Sequence, residues 1–369
     1  MADTPIYQST GVVYSSSANW NRRYRLRIYV HSTNTVKYQF SSDEERQAYN
    51  EQFNQEQYGD MAFQIPDDQY SSQEPLRIQF KIQRYAMYYP NQALITVYNL
   101  SSAFENAIIL QGYRITLEAG YGTSDASSAN YGQIFDGQIL MCTRWKQNAT
   151  DYILQILALD GGQFLSEGYC SFSYTKGQTM RGVIKDMASK AAVPVSEGYV
   201  SPALEKYPLM KGIAVNGLAR NAYNDFARTA NATWFIDNGK LYFIPYAESA
   251  DSLPFGLEAV ELSPATGLLG NPMQSQQCIT ATCLLNPQII PYSLVHISNE
   301  LITQQLVDIQ SYSQGVSTPW MLDPEGIYRV ISVVFTGDNR GQDWKTDLTA
   351  VTQTGNIPEI LQSADSTAN

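Results

Sequence analysis

Histidine is almost absent from this chain of 369 residues, and its scarcity excludes several kinds of site. The only two are His31 and His296, so no pair of histidines has the spacing of a zinc site. A serine or cysteine triad would need one of them, and neither lies beside a nucleophile elbow. The sequence therefore predicts no catalytic residue, no metal site and no cofactor.

Cysteines and long apolar runs are also few. Of the four cysteines, Cys278 and Cys283 would lie on opposite faces of one strand, about 16 Å apart. That is too far for a disulfide, so we expect small core residues. Nowhere do about eighteen apolar residues follow one another, and no apolar core follows a basic segment at the N-terminus. We expect a soluble protein, made in the cytoplasm, that does not insert into a membrane.

Positive charge is in deficit. The 24 basic and 35 acidic residues give a net charge of −11, so the chain as a whole should repel nucleic acid. The one basic cluster comprises Arg22, Arg23, Arg25 and Arg27, where alternation favours a solvated or interface face over a phosphate track. Tyrosine is abundant, with 26 residues. Interfaces and β-structure both enrich tyrosine, and the two explanations stay open.

Period-two alternation dominates the first part of the chain, and 369 residues with 44% hydrophobic content predict two or three folded domains. Residues 92–162 are typical of a small closed barrel of four strands and one helix, with further strands at residues 24–30 and 76–82. We place the first barrel at residues 20–162. The expected helix begins at Ser101 or Ser102, and its apolar side comprises Phe104, Ala107, Ile108 and Leu110.

Three polar stretches fall outside this pattern. Residues 1–19 are expected to form a loose N-terminal arm, and residues 355–369 a frayed C-terminal tail. Residues 32–72 interrupt the first barrel as an insertion, with at most one helix at residues 43–57 and otherwise loop. An insertion of this length in a compact domain is usually functional or disordered.

The period changes to 3.6 after Gly162, which marks a different domain at residues 163–258. One helix carries an apolar stripe from Met180 to Ala191, and a second is predicted at residues 215–230. Asn238-Gly239 then lies between two alternating runs, the strongest short signal for a hairpin. We expect a small α/β domain of two helices and a hairpin.

Alternation returns in residues 259–354, which we interpret as a second barrel. The strand at residues 327–335 is apolar on both faces, so it should lie between the barrel interior and another surface. The turn after it, residues 336–341, should place its glycines at positive φ. This turn precedes a strand rather than a helix, so we reject a phosphate-binding role. The predicted fold is mainly β with a smaller α/β part: two similar small β-barrels flank the α/β domain.

Several phrases in the two predicted barrels resemble, in order and spacing, those of phage tail baseplate hub proteins, the family of the T-even phage central hub. In the first barrel they are Ile95-Thr-Val-Tyr-Asn-Leu-Ser101, Leu117-Glu-Ala-Gly-Tyr-Gly122, Ile134-Phe-Asp-Gly-Gln-Ile139 and Leu159-Asp-Gly161. In the second they are Gly267-Leu-Leu-Gly-Asn-Pro272, Cys283-Leu-Leu-Asn-Pro287, Gly326-Ile-Tyr-Arg-Val330, Gly337-Asp-Asn-Arg-Gly341 and Trp344. The segment after Lys176-Gly177-Gln178-Thr179 is similar to the family's middle domain. The chain departs from the family in the insertion and at Tyr292-Ser293, where relatives often have glycine.

This resemblance implies a structural protein of the virion, assembled in the host cytoplasm, with no catalysis. It implies a homotrimeric hub that joins the hexameric tail tube to the trimeric spike as a symmetry adaptor. Partners would be the tail tube protein, the central spike protein, and the tape measure and baseplate wedge proteins. DNA would pass through the ring during ejection without specific binding.

The chief alternative is a tail-tip carbohydrate-active or lytic enzyme. Glycoside hydrolysis needs two carboxylates across a cleft. The candidate acids Asp136, Asp160, Asp338 and Asp343 lie beside glycines or at strand ends, where turn roles suffice. A receptor-binding module is a third class, which the family's axial position disfavours.

Overall fold

The structure is a computed structural model that describes residues 22–30, 60–65, 76–122, 130–246, 259–274, 278–304, 322 and 325–352. The predicted N-terminal arm, the helix at residues 43–57 and the C-terminal tail lie outside these ranges. No helix within them is long and apolar enough to cross a membrane.

The N-terminal segment contains seven strands and one helix among its described residues. They are β1 Arg22–Val30, β2 Asp60–Ile65, β3 Ile78–Tyr85, β4 Asn91–Tyr98, α1 Ser102–Gln111, β5 Gly112–Tyr121, β6 Tyr131–Lys146 and β7 Tyr152–Asp160. β2 corrects the expectation that residues 58–72 are loop, because it pairs antiparallel with β1. The predicted apolar side of α1 is also corrected: Ile108 is buried, whereas Phe104 and Leu110 are exposed. Ser101 occupies the N-cap position without a side-chain cap.

The middle segment has its own small core. Its elements are α2 Gly162–Glu167, β8 Tyr169–Tyr174, α3 Met180–Lys190, β9 Ser196–Val200, a 3₁₀ helix Pro202–Lys206, β10 Ile213–Leu218, α4 Ala219–Ala230, β11 Ala232–Asp237 and β12 Lys240–Pro245. The hairpin is confirmed, with Asn238 and Gly239 at φ 51° and 71°, as a tight two-residue turn requires. The second helix begins at Ala219 rather than residue 215, because Ile213–Leu218 pairs instead with β8.

The C-terminal segment completes the chain with β13 Val260–Leu262, β14 Leu268–Gln274, β15 Ile279–Leu284, β16 Leu294–Ile297, a 3₁₀ helix Asn299–Leu301, β17 Thr303–Gln304, β18 Ile327–Asp338 and β19 Trp344–Thr352. Cys283 is a buried core residue as expected, while Cys278 is only half-buried, and neither forms a disulfide. The expectation for Gly337 and Gly341 is wrong, since neither has a positive φ.

Tyr292 lies at a position where the hub proteins that the sequence resembles often have glycine, and it adopts a φ of 72°. A bulky residue rarely occupies this left-handed region, which costs of order 1–3 kcal/mol. Its ring is buried against Phe235, with centroids 6.1 Å apart, and the Arg329 guanidinium lies over it at 4.7 Å. These contacts, together with a 2.7 Å backbone bond to Val330, hold the strained turn.

The fourteen strands described in the two outer segments form one sheet. Its order is β17-β14-β15-β19-β18-β3-β4-β7-β6-β5-β1-β2, with β16 beside β18 and β13 beside β16. One apolar core follows the sheet across both segments, from Leu26 and Ile115 to Phe335 and Leu348. The predicted mainly β class is confirmed. The predicted second surface on β18 is present, since Ile331 packs with Met87 outside that core.

Gly337 is required for space rather than for its backbone angle. A Cβ atom there would lie 2.2 Å from the Phe80 ring. That ring is buried and meets Trp344 edge-on, with centroids 5.3 Å apart. We expect Gly337→Ala to lower the free energy of unfolding by about 1–3 kcal/mol, as overpacking does.

Urea unfolding measures this loss, and Gly132→Ala is the matched control. The added Cβ at Gly132 would meet only Pro287, at an ordinary 3.4 Å, so we expect a change of about 0.5 kcal/mol or less. Equal losses in the two variants would contradict the packing role of Gly337.

Candidate assembly surface

β3 and β18 join the N-terminal and C-terminal segments through backbone pairing, which we call the internal seam. The strands are antiparallel, from Tyr85 opposite Ser332 to Gln79 opposite Asp338. Ile82 and Phe335 face each other across it and are fully buried. The sequence contained one signal of this contact, the apolar character of both faces of β18, but it did not identify β3 as the partner.

A cluster of hydrogen bonds fastens the end of the internal seam. Arg77 donates to both carboxylate oxygens of Asp338, at 3.3 and 2.7 Å, and Gln79 donates at 2.8 Å. Partial burial alone would raise the pKa of Asp338, but these bonds and the Arg340 backbone N–H lower it to about 2. Asp338 is therefore ionised at neutral pH and stabilises the junction.

The basic cluster of β1 is only partly a solvated face, which corrects the expectation. Arg27 is buried because Gln64 of β2 and Glu118 of β5 accept its hydrogen bonds at 3.0 and 2.7 Å. Arg22 donates to the backbone carbonyl of Asp338 at 2.9 Å. These arginines support the sheet, and no phosphate track is needed to explain them.

A buried ionic cluster attaches the middle segment to the sheet. Arg84 of β3 donates to both carboxylate oxygens of Asp237 at the hairpin, at 2.9 and 2.6 Å. Asn91 of β4 donates to the same carboxylate at 3.0 Å. Both charged side chains are almost fully buried. Removing one partner of such a pair leaves an uncompensated buried charge, so the cluster fixes where the hairpin sits on the sheet.

Asp160 belongs to this cluster and has a perturbed pKa. It ends β7 and accepts a hydrogen bond from the Gly239 backbone N–H at 2.9 Å. Burial, followed by the nearby carboxylates of Asp237 and Asp136, raises its pKa to about 7, against the opposing effects of Gly239 and Arg84. Asp160 is therefore partly protonated at neutral pH.

The pairing registers of the two outer segments repeat. β7 pairs with β4 and β6, as β19 pairs with β15 and β18. The β6–β7 register skips Leu140, and the β18–β19 register skips Ile331. The residue two positions before each skip pairs with the next strand: Gln138 lies opposite β5, and Arg329 lies opposite β16. Strands β3, β4, β7, β6 and β5 thus correspond, in chain order and pairing, to β14, β15, β19, β18 and β16.

Two departures from this repeat are local. β14 carries two extra residues as a bulge: three residues, 270–272, separate Leu269 from Met273, whereas one residue separates Gln79 from Lys81 at the equivalent place in β3. β13 pairs parallel with β16, whereas β1 pairs antiparallel with β5. The repeat therefore covers five strands of each segment and excludes the outermost one.

Two sheet edges remain largely unpaired among the described residues. The pairing of β6 with β5 stops at Gln138, so its second half, residues 139–146, pairs only with β7. The outer edge of β14 carries only β17, opposite Met273 and Gln274. We call these the β6 edge and the β14 edge. Exposed strand edges are templates for pairing with another chain.

Apolar side chains surround both edges. Leu140 is 63% exposed and Trp145 43% on β6, and Met273 is 52% exposed on β14. Helix α1 lies beside the β6 edge, because Arg144 donates to Asn106 at 3.0 Å. Leu110 of that helix is 79% exposed. Large apolar side chains exposed beside open strand edges are typical of interaction surfaces.

Three of the four acids considered for an enzyme have structural partners through their side chains, and the backbone carbonyl of the fourth, Asp343, accepts from the Asp338 N–H at 2.7 Å. Asp136 accepts a hydrogen bond from Arg114 at 2.6 Å, and Asp160 and Asp338 belong to the two clusters above. His296 pairs with Glu261. In the part of the chain that the structure describes, no three metal-ligating side chains are grouped. His31 lies outside that part.

The chain matches no protein-family model and no curated protein. Among solved structures it resembles the Escherichia coli c3393 protein, a type VI secretion component described as similar to T4 tail proteins gp27 and gp5. That match has 10% identity, a TM-score of 0.47 and coverage of 78% of both chains. The 43 kDa tail protein of prophage MuSo2 from Shewanella oneidensis has 8% identity and a TM-score of 0.45, with 77% and 100% covered.

A Francisella PdpA-VgrG complex gives a TM-score of 0.49 at 9% identity. The match covers 92% of this chain and 54% of that one. The structural neighbours thus include phage tail proteins and type VI secretion components.

The two perturbed carboxylates predict opposite pH dependences. The Asp160 pKa is raised from 3.8 to about 7, so the unfolded chain releases a proton between these values that the folded chain keeps. This group therefore lowers stability as pH rises from about 4 to about 7. We expect the free energy of unfolding of Asp160→Asn to rise by about 1 kcal/mol or more, relative to that of the unmutated protein, between pH 5 and pH 8.

Asp338→Asn is the control of opposite sign. The folded pKa of about 2 is below the usual 3.8, so Asp338 stabilises the fold above about pH 4 and loses this effect as pH falls toward 2. We expect Asp338→Asn to be the less stable protein at pH 7, with the deficit shrinking in acid. Thermal unfolding from pH 3 to 8 measures both, and parallel profiles for the two variants would contradict these assignments.

Proposed function

We propose that this chain is a structural, non-enzymatic hub of a phage tail baseplate. Three copies form a closed ring that adapts the hexameric tail tube to the trimeric spike and forms part of the channel for DNA. The tube and spike proteins are its main partners, with tape measure and baseplate wedge proteins as further contacts. Its location is the virion tail, after assembly in the host cytoplasm.

The observation that carries this proposal is the repeated five-strand unit. The two units have the same strand neighbours in the same chain order. Each also skips one residue in the corresponding pairing, Leu140 between β6 and β7 in the first unit and Ile331 between β18 and β19 in the second. A chain with two such units presents two similar barrels, as the sequence predicts. Three chains in closed cyclic symmetry then present six similar units to a sixfold partner. The middle segment occurs once per chain, so a face built with it is threefold and suits a trimeric spike.

The internal seam shows how neighbouring units can join. It connects β3 of the first unit directly to β18 of the second. A ring needs the same kind of contact between chains. The β6 and β14 edges lie on the two units. Among the described residues, β5 does not pair with β6 beyond Gln138, and the outer edge of β14 carries β17 at Met273 and Gln274.

The alternative of a lytic or carbohydrate-active enzyme has no support from a specific contact. Glycoside hydrolysis needs two carboxylates facing a common cleft. Asp136 and Asp338 instead pair with Arg114 and Arg77, and Asp160 is buried under the hairpin turn. We therefore expect no hydrolysis of peptidoglycan or host polysaccharide.

The number of chains in the assembled ring tests the proposal. We expect native mass spectrometry of this protein with its spike partner to give three copies of the chain. Electron microscopy should show a ring with six similar lobes on one face and threefold features on the other. The isolated chain can remain monomeric without contradicting the proposal. Any other number of chains in the spike-bound ring would overturn it.

A ring of three chains carries three times −11, or −33 formal charges. Because phosphate contacts supply most non-specific DNA binding, such a ring should not retain DNA at physiological salt. We expect no measurable binding of a fluorescent duplex in a polarisation assay at about 150 mM salt. A micromolar affinity under these conditions would contradict a channel through which DNA passes freely.

A further inference from the structure

We infer that the ring closes through a second seam, in which the β6 edge of one copy pairs antiparallel with the β14 edge of the next. This inference rests on the proposed ring and identifies the residues that meet in it. The internal seam is the template, because it joins the same two kinds of strand within one chain. β18 corresponds to β6, and β3 corresponds to β14, in the five-strand repeat described above.

The register of this second seam follows from the repeat. Ile331 and Leu140 mark the same skip, so Thr336 corresponds to Trp145, each five residues further on. Lys81 pairs with Leu94 of β4, and Met273 pairs with Thr280 of β15. Leu94 and Thr280 occupy the same position in the repeat, so Lys81 corresponds to Met273. Thr336 lies opposite Lys81 in the internal seam. Trp145 of one copy should therefore lie opposite Met273 of the next.

The chemistry of this pair fits a contact between chains. Trp145 and Met273 are both large, apolar and exposed in the single chain. They correspond to a threonine and a lysine where the seam is internal. A methionine sulfur against an indole ring is a favourable contact of about 0.3–1.5 kcal/mol, and pairing would cover part of each side chain. The two positions thus gain an apolar pair where chains meet.

Side-chain direction agrees with this register. On β6, the half-buried Cys142 packs against the main core, and Arg144, two residues further on, reaches helix α1. Met141 and Trp145 are exposed and alternate with them. On β14, Leu268 is in the core while Met273 is exposed. The outer faces of both strands would lie on the same side of the closed seam, as they do for β18 and β3.

One element must move for the seam to form. β17 pairs with β14 at Met273 and Gln274, which are positions that the second seam uses. Its described part is only two residues long, so this pairing is easily exchanged for a longer strand. β17 thus acts as a cover for the β14 edge in the single chain, as natural proteins protect exposed edges with short strands. Ring closure exchanges it for β6 of a neighbour.

Cysteine cross-linking tests the register directly. Chains carrying Trp145→Cys are mixed with chains carrying Met273→Cys, both also with Cys142→Ser and Cys278→Ser, and assembled with the spike partner. We expect oxidation to join the two kinds of chain, because directly opposite residues lie close enough for a disulfide. Met210→Cys mixed with Met273→Cys is the matched control. Met210 is 83% exposed and belongs to the middle segment, outside both edges, so it should give no cross-link.

A charge exchange supplies a second measurement that does not depend on oxidation. We expect Trp145→Glu to raise the concentration needed for half-maximal ring formation at least about tenfold. Combining Trp145→Glu with Met273→Lys should bring this concentration most of the way back to that of the unmutated chain, because the opposite charges then face each other. Thermal unfolding of the single chain should be nearly unchanged in both variants, since both side chains are exposed.

The outcomes separate the seam from the proposed function. If the spike-bound ring has three chains but the 145–273 cross-link fails or the charge exchange does not restore assembly, the seam is wrong while the hub stands. If no three-chain ring forms with the unmutated protein, the proposed function itself fails.

The cover by β17 has its own test. Proline at both Thr303 and Gln304 removes the backbone donors that β17 offers to β14. We expect a larger fraction of rings than for the unmutated chain at equal concentration without the spike. An unchanged or smaller fraction would show that β17 does not guard the edge.

Discussion

The backbone pairing between β3 and β18 is the contact on which the rest of the structure depends. It turns the sheets of two distant segments into one and lets a single apolar core run beneath both. Its details are specific: Gly337 leaves room for the Phe80 ring, and Asp338 is held by Arg77 and Gln79 at the end. A junction of this length and burial keeps two similar units in one fixed relation.

The middle segment is held by a different kind of interaction. A bidentate ion pair between Arg84 and Asp237 lies out of contact with water. The nearby aromatic contact of Phe235 with Tyr292 reaches the C-terminal segment. Buried ion pairs add little net stability, but they tolerate few alternative arrangements. The middle segment is thus oriented against both outer segments by contacts that penalise displacement.

Strands and the hairpin were predictable from sequence where the signal was local. Alternation located β3, β4, β5 and β7, and Asn238-Gly239 located the tight turn. β2 and β10 were missed, because β2 lies in a polar stretch and the apolar residues of β10 run directly into the helical stripe of α4. Phe104 and Leu110 were expected in a core, since helical periodicity identifies an apolar face without saying whether that face meets this chain or another. The register repeat, which carries the functional proposal, is visible only in the pairing of strands.

The two sides of the internal seam are far apart in sequence, and this has a consequence for folding. Gln79 and Asp338 are separated by 259 positions. During synthesis at about 5–20 residues per second, β3 would wait roughly 13 to 50 seconds before its partner emerges from the ribosome. Such high contact order slows folding and leaves an apolar edge open to wrong partners in the meantime. The nascent chain is therefore at its most aggregation-prone just before its last two long strands arrive.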